Sequence, residues 1–186
     1  MTSEPDRVDA IIAATRHWLI SSVIGLNLCP FARAVHIGNR VRYFVSAAVT
    51  TDELLNDLEL ELRLLERADS EETETTLLIH PNVLDEFLDF NDFLHDADRL
   101  IESLQLAGVM QIASFHPQYQ FADLASSDIG NYTNRSPWPT LHLLRESSVL
   151  RATQSMADTS EIYRANLQTM QALGLDGWRA LSEQQP

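Results

Sequence analysis

Three histidines and one cysteine are the residues of this chain best suited to chemistry. His80 and His116 each end a short apolar segment and precede a proline, in LLIHPN and ASFHPQ, and His142 stands near the start of another such segment. Cys29 precedes Pro30 in LNLCPFAR. Imidazoles act as general bases or metal ligands, and a thiolate is a nucleophile. We therefore predict Cys29, His116 and His142 as catalytic residues, and His80, His116 and His142 as an alternative set of ligands for a divalent metal.

A polar and aromatic segment of 23 residues, 117–139, follows His116. Loops longer than about 15 residues without secondary structure are usually functional or disordered, and the aromatic side chains here favour burial. An arginine beside amide donors suits a carboxylate or a phosphate. We therefore expect an anionic small-molecule ligand, and the predicted substrate-binding residues are Arg135, Asn131, Asn134, Tyr119, Arg33 and Arg145.

The elements that would position these residues follow from hydrophobic periodicity. Apolar residues at helical spacing predict helices at 4–24, 53–68, 83–106, 148–157 and 160–173. Alternating or short apolar runs predict strands at 40–49, 75–80, 109–116 and 140–146. The order α-β-α-β-α-β-β-α-α indicates an α/β fold, with α+β as the alternative, built on a single four-stranded mixed sheet packed with helices. We expect a single domain over residues 1–186, with frayed tails at 1–4 and 182–186.

Sequence signals also mark the ends of several helices. Thr50 with Glu53, and Asn82 with Asp85, have the spacing of N-terminal capping pairs. Three glycines, Gly25, Gly108 and Gly174, are expected to end the helices that precede them.

Strand direction decides whether the histidines meet. The carboxyl ends of parallel strands share one edge of the sheet, which would bring His80 and His116 together. His142 would join them if the fourth strand runs antiparallel to the third. The alternative is that each histidine packs locally and donates a hydrogen bond to a carbonyl group.

Composition narrows the classes of partner. The formal net charge of −14 argues against nucleic acid and anionic membranes as partners. All 13 basic residues are arginine, so a bound anion must be held by arginine or by protonated histidine. The single cysteine forms no internal disulfide, no apolar run approaches the roughly 20 residues of a membrane span, and the N-terminus lacks the pattern of a secretory signal. These features predict a cytoplasmic protein, while the oligomeric state stays open.

Several long motifs resemble one known family. The segments GLNLCPFA, QIASFHPQYQFAD and NYTNRSPWPTLHLLRE, with the run DFNDF at 89–93, are similar to an uncharacterised family of bacteria and plants, domain of unknown function 1415. The resemblance covers nearly the whole chain and implies no established activity, cofactor or catalytic residue. One departure is Trp138, where the family pattern leads us to expect tyrosine.

Three functions remain open on these observations. The first is a small-molecule enzyme, a hydrolase or transferase in which Cys29 is the nucleophile and His116 or His142 the base. Arg135 would hold the anionic group, and the amides of Asn131 and Asn134 would orient it. The second is a metal-binding protein that uses the three histidines. The third is a non-catalytic interaction module that uses the aromatic segment as its contact surface.

Overall fold

A four-stranded mixed sheet organises the protein. The computed structural model describes residues 4–153 and 160–183. Its strands are β1 (Val41–Val45), β2 (Thr75–Ile79), β3 (Met110–Phe115) and β4 (Thr140–Arg145). They are arranged in the order β1-β2-β4-β3, with β1 parallel to β2, and β4 antiparallel to both β2 and β3. The predicted α/β class and mixed sheet are therefore confirmed, and β4 lies inside the sheet rather than at its edge.

Helices cover both faces of this sheet in roughly the predicted order. The described α-helices are α1 (Glu4–Trp18), α2 (Ala32–Ile37), α3 (Thr51–Arg67), α4 (Phe87–Ser103), α5 (Glu146–Thr153) and α6 (Ser160–Glu183). A π-helical segment, Leu19–Ile24, continues α1, and a 3₁₀ helix, Ile129–Asn134, lies between β3 and β4. The short helix α2, the π-helical segment and the 3₁₀ helix were not predicted.

Capping explains where α3 begins and corrects our expectation for α4. Thr50 and Glu53 form the predicted capping box at the start of α3. The predicted pair Asn82 and Asp85 does not cap α4, because that helix begins only at Phe87, after Glu86, whose side chain makes no capping bond. The chain is still turning before this point, since Leu84 has a φ of 60°.

Glycine positions located the helix ends only in part. Helix α4 ends at Ser103, before the predicted stop at Gly108. Helix α6 continues to Glu183 beyond a non-helical residue, Gly174, whose φ of 65° and ψ of 174° interrupt it at the predicted stop. Of the expected frayed tails, residue 4 begins α1 and residues 182–183 belong to α6, whereas 1–3 and 184–186 lie outside the described residues, as do 154–159.

Each face of the sheet carries its own apolar core. One face packs against α3 and α4, with Leu78, Leu141 and Leu143 fully buried. The other face packs against α1, the π-helical segment and α6, where the ring of Phe115 makes an edge contact with Trp18 at 5.1 Å. Side chains alternate between the faces of a strand, so the parity of a residue decides which core it enters. Within the described chain, no helix has the length and apolar character needed to cross a bilayer.

Arg145 joins the sheet to the end of α3. Its Nη2 lies within hydrogen-bond distance of three carbonyl oxygens, those of Leu65 at 2.6 Å, Ala68 at 2.8 Å and Thr73 at 3.2 Å. These carbonyls belong to the last turn of α3 and the turn that follows, where a positive charge also complements the helix dipole. Arg145 therefore acts as a structural cap, and not in the substrate-binding role predicted from the sequence.

We predict that Arg145→Met destabilises the fold by about 3 kcal/mol, because charge-assisted hydrogen bonds to partly buried carbonyls are lost together. Urea unfolding of the variant measures this change directly. Arg99→Met is the matched control, since Arg99 is exposed and, among the described residues, pairs only with Asp96 on the same helix. We expect the control to change stability by less than about 0.5 kcal/mol. Equal effects of the two substitutions would refute the capping role.

Candidate functional site

A pocket of about 360 Å³ lies on the α1 and α6 side of the sheet, just beyond the carboxyl end of β3. This is the edge at which ligands bind in open α/β sheets. The volume falls in the range of small-molecule sites. The pocket is lined by Ala14, His17, Trp18, Ser21, Ser22, Pro117, Tyr132, Arg135, Ser136, Pro137 and Trp178.

Arg135 is the charged residue of this pocket that sequence analysis identified. Its Nε–H donates to the carbonyl of Tyr119 at 3.2 Å and its Nη2 donates to the carbonyl of Ser126 at 3.2 Å. The guanidinium also lies over the ring of Tyr132, with Cζ 4.0 Å from the ring centroid. These contacts fix the plane of the guanidinium without neutralising its charge. In the described part of the chain, Arg135 forms no ion pair with a carboxylate.

The segment that carries Arg135 is held by its own amide side chains. Asn131 is fully buried; its Oδ1 accepts from the backbone N–H of Phe121 at 3.0 Å, and its Nδ2 donates to the carbonyl of Ala125 at 2.8 Å. Asn134 donates from Nδ2 to the carbonyl of Ser114 at 3.2 Å. Both amides are therefore engaged in shaping the loop, and they do not line the pocket as predicted substrate donors.

The π-helical segment supplies another wall. Gly25 N–H bonds to the carbonyl of Ile20 at 2.9 Å, the five-residue spacing that defines a π turn. Ser21 and Ser22 of this segment both line the pocket. The hydroxyl of Ser21 donates to the carbonyl of His17 at 2.8 Å. Because π turns are rare and concentrate at functional sites, their position here supports a functional role for the pocket.

The end of α6 closes the remaining side. His17 Nε2 lies 3.1 Å from the carbonyl of Leu181, so this nitrogen carries the hydrogen and donates. Trp178 makes an edge contact with the ring of Tyr132 at 5.4 Å. The break at Gly174 separates this stretch from the rest of α6, and that φ of 65° is a conformation that glycine adopts without strain.

His80 and His116 do meet, but around an aromatic ring and not around a pocket. Both are fully buried, and their rings lie 5.6 Å and 5.1 Å from the ring of Phe90. His80 Nδ1 donates to the carbonyl of Val83 at 3.0 Å, and His116 Nε2 donates to the carbonyl of Leu84 at 3.1 Å. The two imidazoles therefore hold the turn that leads into α4. This arrangement corresponds to the alternative in which each histidine packs locally and donates to a carbonyl group.

Burial keeps both of these histidines neutral. Desolvation lowers the pKa of His80 to about 4, despite the opposing hydrogen bond to Val83. Desolvation also lowers the pKa of His116, against the nearby carboxylates of Asp85 and Glu86. A buried neutral imidazole whose N–H is held by a carbonyl is a structural tie rather than a general base open to substrate.

His142 lies on the other face of the sheet. It pairs in register with Leu77 and Ala113, whereas its neighbours Leu141 and Leu143 point into the core below α3 and α4. Its Nε2 lies 2.7 Å from the hydroxyl of Thr75, which itself donates to a backbone carbonyl, so the imidazole donates to Thr75. Desolvation lowers the pKa of His142 as well.

The predicted convergence of three histidines is therefore wrong. His142 stands two residues inside β4 and its side chain leaves the sheet on the side opposite His80 and His116. Over residues 4–153 and 160–183, no group of three His, Cys, Asp or Glu side chains is placed to hold a metal ion. The proposed ligand set of His80, His116 and His142 is not assembled in this fold.

Cys29 does not line the pocket either. It is partly exposed and packs against the core of the α1 and α6 side. Helix α2 begins at Ala32 with Phe31 as N-cap, so Cys29 precedes the first helical residue by three positions. Cys29 therefore does not lie at a helix N-terminus, where backbone N–H groups would favour a thiolate.

The two remaining predicted ligand residues lie elsewhere. Tyr119 packs between Phe87 and Phe121, at centroid distances of 5.2 Å and 5.0 Å, and gives its backbone carbonyl to Arg135. Arg33 is exposed on α2 and is not among the residues that line the pocket. Of the predicted site residues, the structure brings only Arg135 to the cavity.

Sequence reasoning missed the α1 side of this pocket. The sequence analysis assigned no role to His17, and it placed Ser21 and Ser22 within the helix predicted at 4–24. One signal was available, since two adjacent serines interrupt the apolar run Leu19–Ile24. The contribution of Trp178 had no local signal, because it depends on how α6 folds back over the 3₁₀ helix.

We predict that His80 makes the fold sensitive to acid. The pKa of His80 is near its ordinary value of 6.5 in the unfolded chain, whereas burial lowers this pKa to about 4 in the folded chain. The unfolded state therefore binds more protons, and stability falls as the pH drops through this window, by about 3 kcal/mol from this residue. His80→Asn, which can still donate to Val83, should unfold in urea with a weaker pH dependence than the wild type.

The control for this measurement is His95→Asn, because His95 is exposed on α4. We expect this variant to retain the pH dependence of the wild type. An unchanged pH dependence in His80→Asn would show that His80 does not drive the acid sensitivity.

Comparisons with known proteins give one match. Searches of curated proteins and of solved structures found no match to this chain. A scan of family models matched residues 10–180 to the family described as Protein of unknown function (DUF1415). The matched region runs from α1 into the last part of α6, and so it includes all the residues that line the pocket. The chain belongs to the DUF1415 family.

Proposed function

We propose that this protein binds a small organic anion in the pocket between α1, the 3₁₀ helix and the end of α6, with Arg135 as the anchoring cation. The observation that carries the proposal is a charged guanidinium that lines a cavity of about 360 Å³ and has no carboxylate partner among the described residues. An arginine fixed in this way offers its charge and remaining N–H groups to a ligand.

The charge balance of the chain strengthens this proposal. Acidic residues number 27 against 13 arginines, so an arginine has many potential partners within the chain. Yet the described residues that line the pocket include no Asp and no Glu. The described pocket lining thus carries the charge of Arg135 with no carboxylate beside it, which favours an anion at short range although the net charge of the chain is −14.

Aromatic side chains indicate that the anion carries an organic group. Trp18, Tyr132 and Trp178 all line the cavity, and they belong to the apolar core on this side of the sheet. Such rings offer flat apolar surfaces that inorganic ions cannot use. Pockets for small organic ligands combine apolar walls of this kind with a few orienting polar groups.

Binding is the function that the geometry supports, and no reaction is assigned to the pocket. Cys29, His116 and His142 stand outside its lining, so the predicted hydrolase or transferase chemistry has no support from their positions. The interaction-module alternative used the aromatic segment as a surface. The inward packing of Tyr119 and Phe121 gives that alternative no specific support.

We predict that an aryl-alkyl anion binds here and that Ala14→Leu, which fills part of the cavity, weakens binding at least about tenfold. The probes are 3-phenylpropionate and 2-phenylethylphosphonate, with 3-phenylpropan-1-ol as their neutral analogue. Isothermal titration calorimetry gives the affinities, and fluorescence of the pocket residues Trp18 and Trp178 gives a second readout. At least one anion should bind more tightly than the alcohol.

Two controls separate binding from folding. Ala13→Leu places the same side chain one position earlier on α1, where the residue is exposed and outside the pocket, and should leave affinity unchanged. Arg135→Gln should remove the preference for anion over alcohol, a loss of about 10- to 100-fold for a charge-assisted interaction. Asn134→Ala breaks another loop hydrogen bond but keeps the guanidinium, so it shows what loop loosening alone does. If neither anion binds better than the alcohol, the proposed function is refuted.

A further inference from the structure

The geometry points to a more specific ligand class, which rests on the proposed function: a monocarboxylate with a ring or short apolar body, carrying no ammonium group, in preference to a phosphate or an amino acid. The evidence is the number, direction and charge of the polar groups that the pocket still has available once its internal hydrogen bonds are counted.

One edge of the Arg135 guanidinium, with two parallel N–H groups, remains available to a ligand. Nε and Nη2 form one edge of the group, and the carbonyls of Tyr119 and Ser126 occupy it. The other edge, made by Nη1 and the second hydrogen of Nη2, has no hydrogen-bond partner among the described residues. Two parallel N–H groups match the two oxygens of one carboxylate. One face of the group is covered by Tyr132, and a carboxylate would pair with the remaining edge in the plane of the guanidinium.

The hydroxyl groups around the pocket add few donors. Ser21 already donates to the carbonyl of His17, and Ser136 donates to the carbonyl of Trp138 at 2.6 Å. A hydroxyl has one hydrogen, so these two serines present only lone pairs to a ligand. The Nε2–H of His17 is likewise engaged with Leu181. Ser22, Tyr132 and Trp18 can each add one single donor, so Arg135 is the residue of the described lining that offers two parallel N–H groups to an anion.

Backbone donors are also scarce. Two of the loop residues that line the cavity are Pro117 and Pro137, which have no N–H group. Phosphate sites usually combine several backbone N–H groups, at a helix N-terminus or in a nest, with a cation. A phosphate dianion finds few backbone donors in this pocket, whereas one carboxylate is satisfied by one guanidinium edge.

An ammonium group has no place in the same cavity. The described lining contains no carboxylate to pair with it, and Arg135 would repel it. An amino acid would have to bury its ammonium without a counter-charge, which costs several kcal/mol. Removing that group from the ligand should therefore improve binding, although it removes a polar function.

The experiment uses the full chain and ligands with one shared phenylethyl body. Isothermal titration calorimetry compares 3-phenylpropionate with 2-phenylethylphosphonate and with phenylalanine, which is 3-phenylpropionate with an added ammonium group. We expect 3-phenylpropionate to bind at least about tenfold more tightly than either of the others, the equivalent of about 1.4 kcal/mol. The preference over phosphonate should disappear in Arg135→Lys, because an ammonium group lacks the paired edge.

The outcomes distinguish this inference from the proposed function. If the phosphonate binds as tightly as the carboxylate, or more tightly, the carboxylate preference is overturned while anion binding stands. If phenylalanine binds as tightly as 3-phenylpropionate, the exclusion of ammonium is overturned. If no anion binds better than 3-phenylpropan-1-ol, both the inference and the proposed function fail. Arg135→Lys with an unchanged preference would show that the paired edge is not the recognition element.

Discussion

The antiparallel insertion of β4 between β2 and β3 is the constraint on which the rest of the structure depends. Because β3 and β4 are antiparallel neighbours, the chain leaves β3 and enters β4 at the same edge of the sheet. The long segment between them must therefore rise from this edge and return to it. That requirement places Tyr132, Arg135 and Pro137 beyond the carboxyl end of β3, where α1 and α6 can close around them.

A segment of this length can stay ordered only if its backbone polar groups find partners. Buried N–H and C=O groups without partners cost about as much as a lost hydrogen bond. Asn131 supplies partners for two backbone positions from the inside, and Asn134 ties the far end of the segment to the last residues of β3. Arg135 satisfies two further carbonyls. Asn131, Asn134 and Arg135, which the sequence suggested as ligand donors, thus also stabilise the loop that forms the pocket.

The sequence predicted elements well because each rests on local periodicity and capping. The face of α3 with Leu54, Leu58, Leu62 and Leu65 could be read directly, and so could the capping box at Thr50. The face of the sheet on which His142 lies could not be read from the sequence in this way. Its face depends on the register of β4 against β2, and a shift of one residue moves every side chain to the other side. Sequence spacing placed His142 near the correct edge but could not fix its parity.

The predicted site shows the same division between local and long-range information. Arg135 was recognised because its neighbours in NYTNRSPWP are chemically unusual, which is a local property. The opposite wall, formed by His17, Ser21 and Trp178, comes from helices at the two ends of the chain. Only packing against the second face of the sheet brings these helices together. No pattern within either helix specifies the other as its partner.

The absence of acidic side chains from the described pocket lining is what makes Arg135 a candidate for binding an anion. Elsewhere in the chain, arginines close to carboxylates pair with them, as Arg42 does with Glu61 at 2.7 Å. Around Arg135 the contacts are carbonyl oxygens and an aromatic face, which orient a guanidinium but carry no full negative charge. Arg145 is also held by carbonyl oxygens, but it caps the end of α3, whereas Arg135 lines a cavity. A charge that is fixed in orientation, lines a cavity and has no counter-ion within the described chain is the arrangement expected where that counter-ion is a ligand.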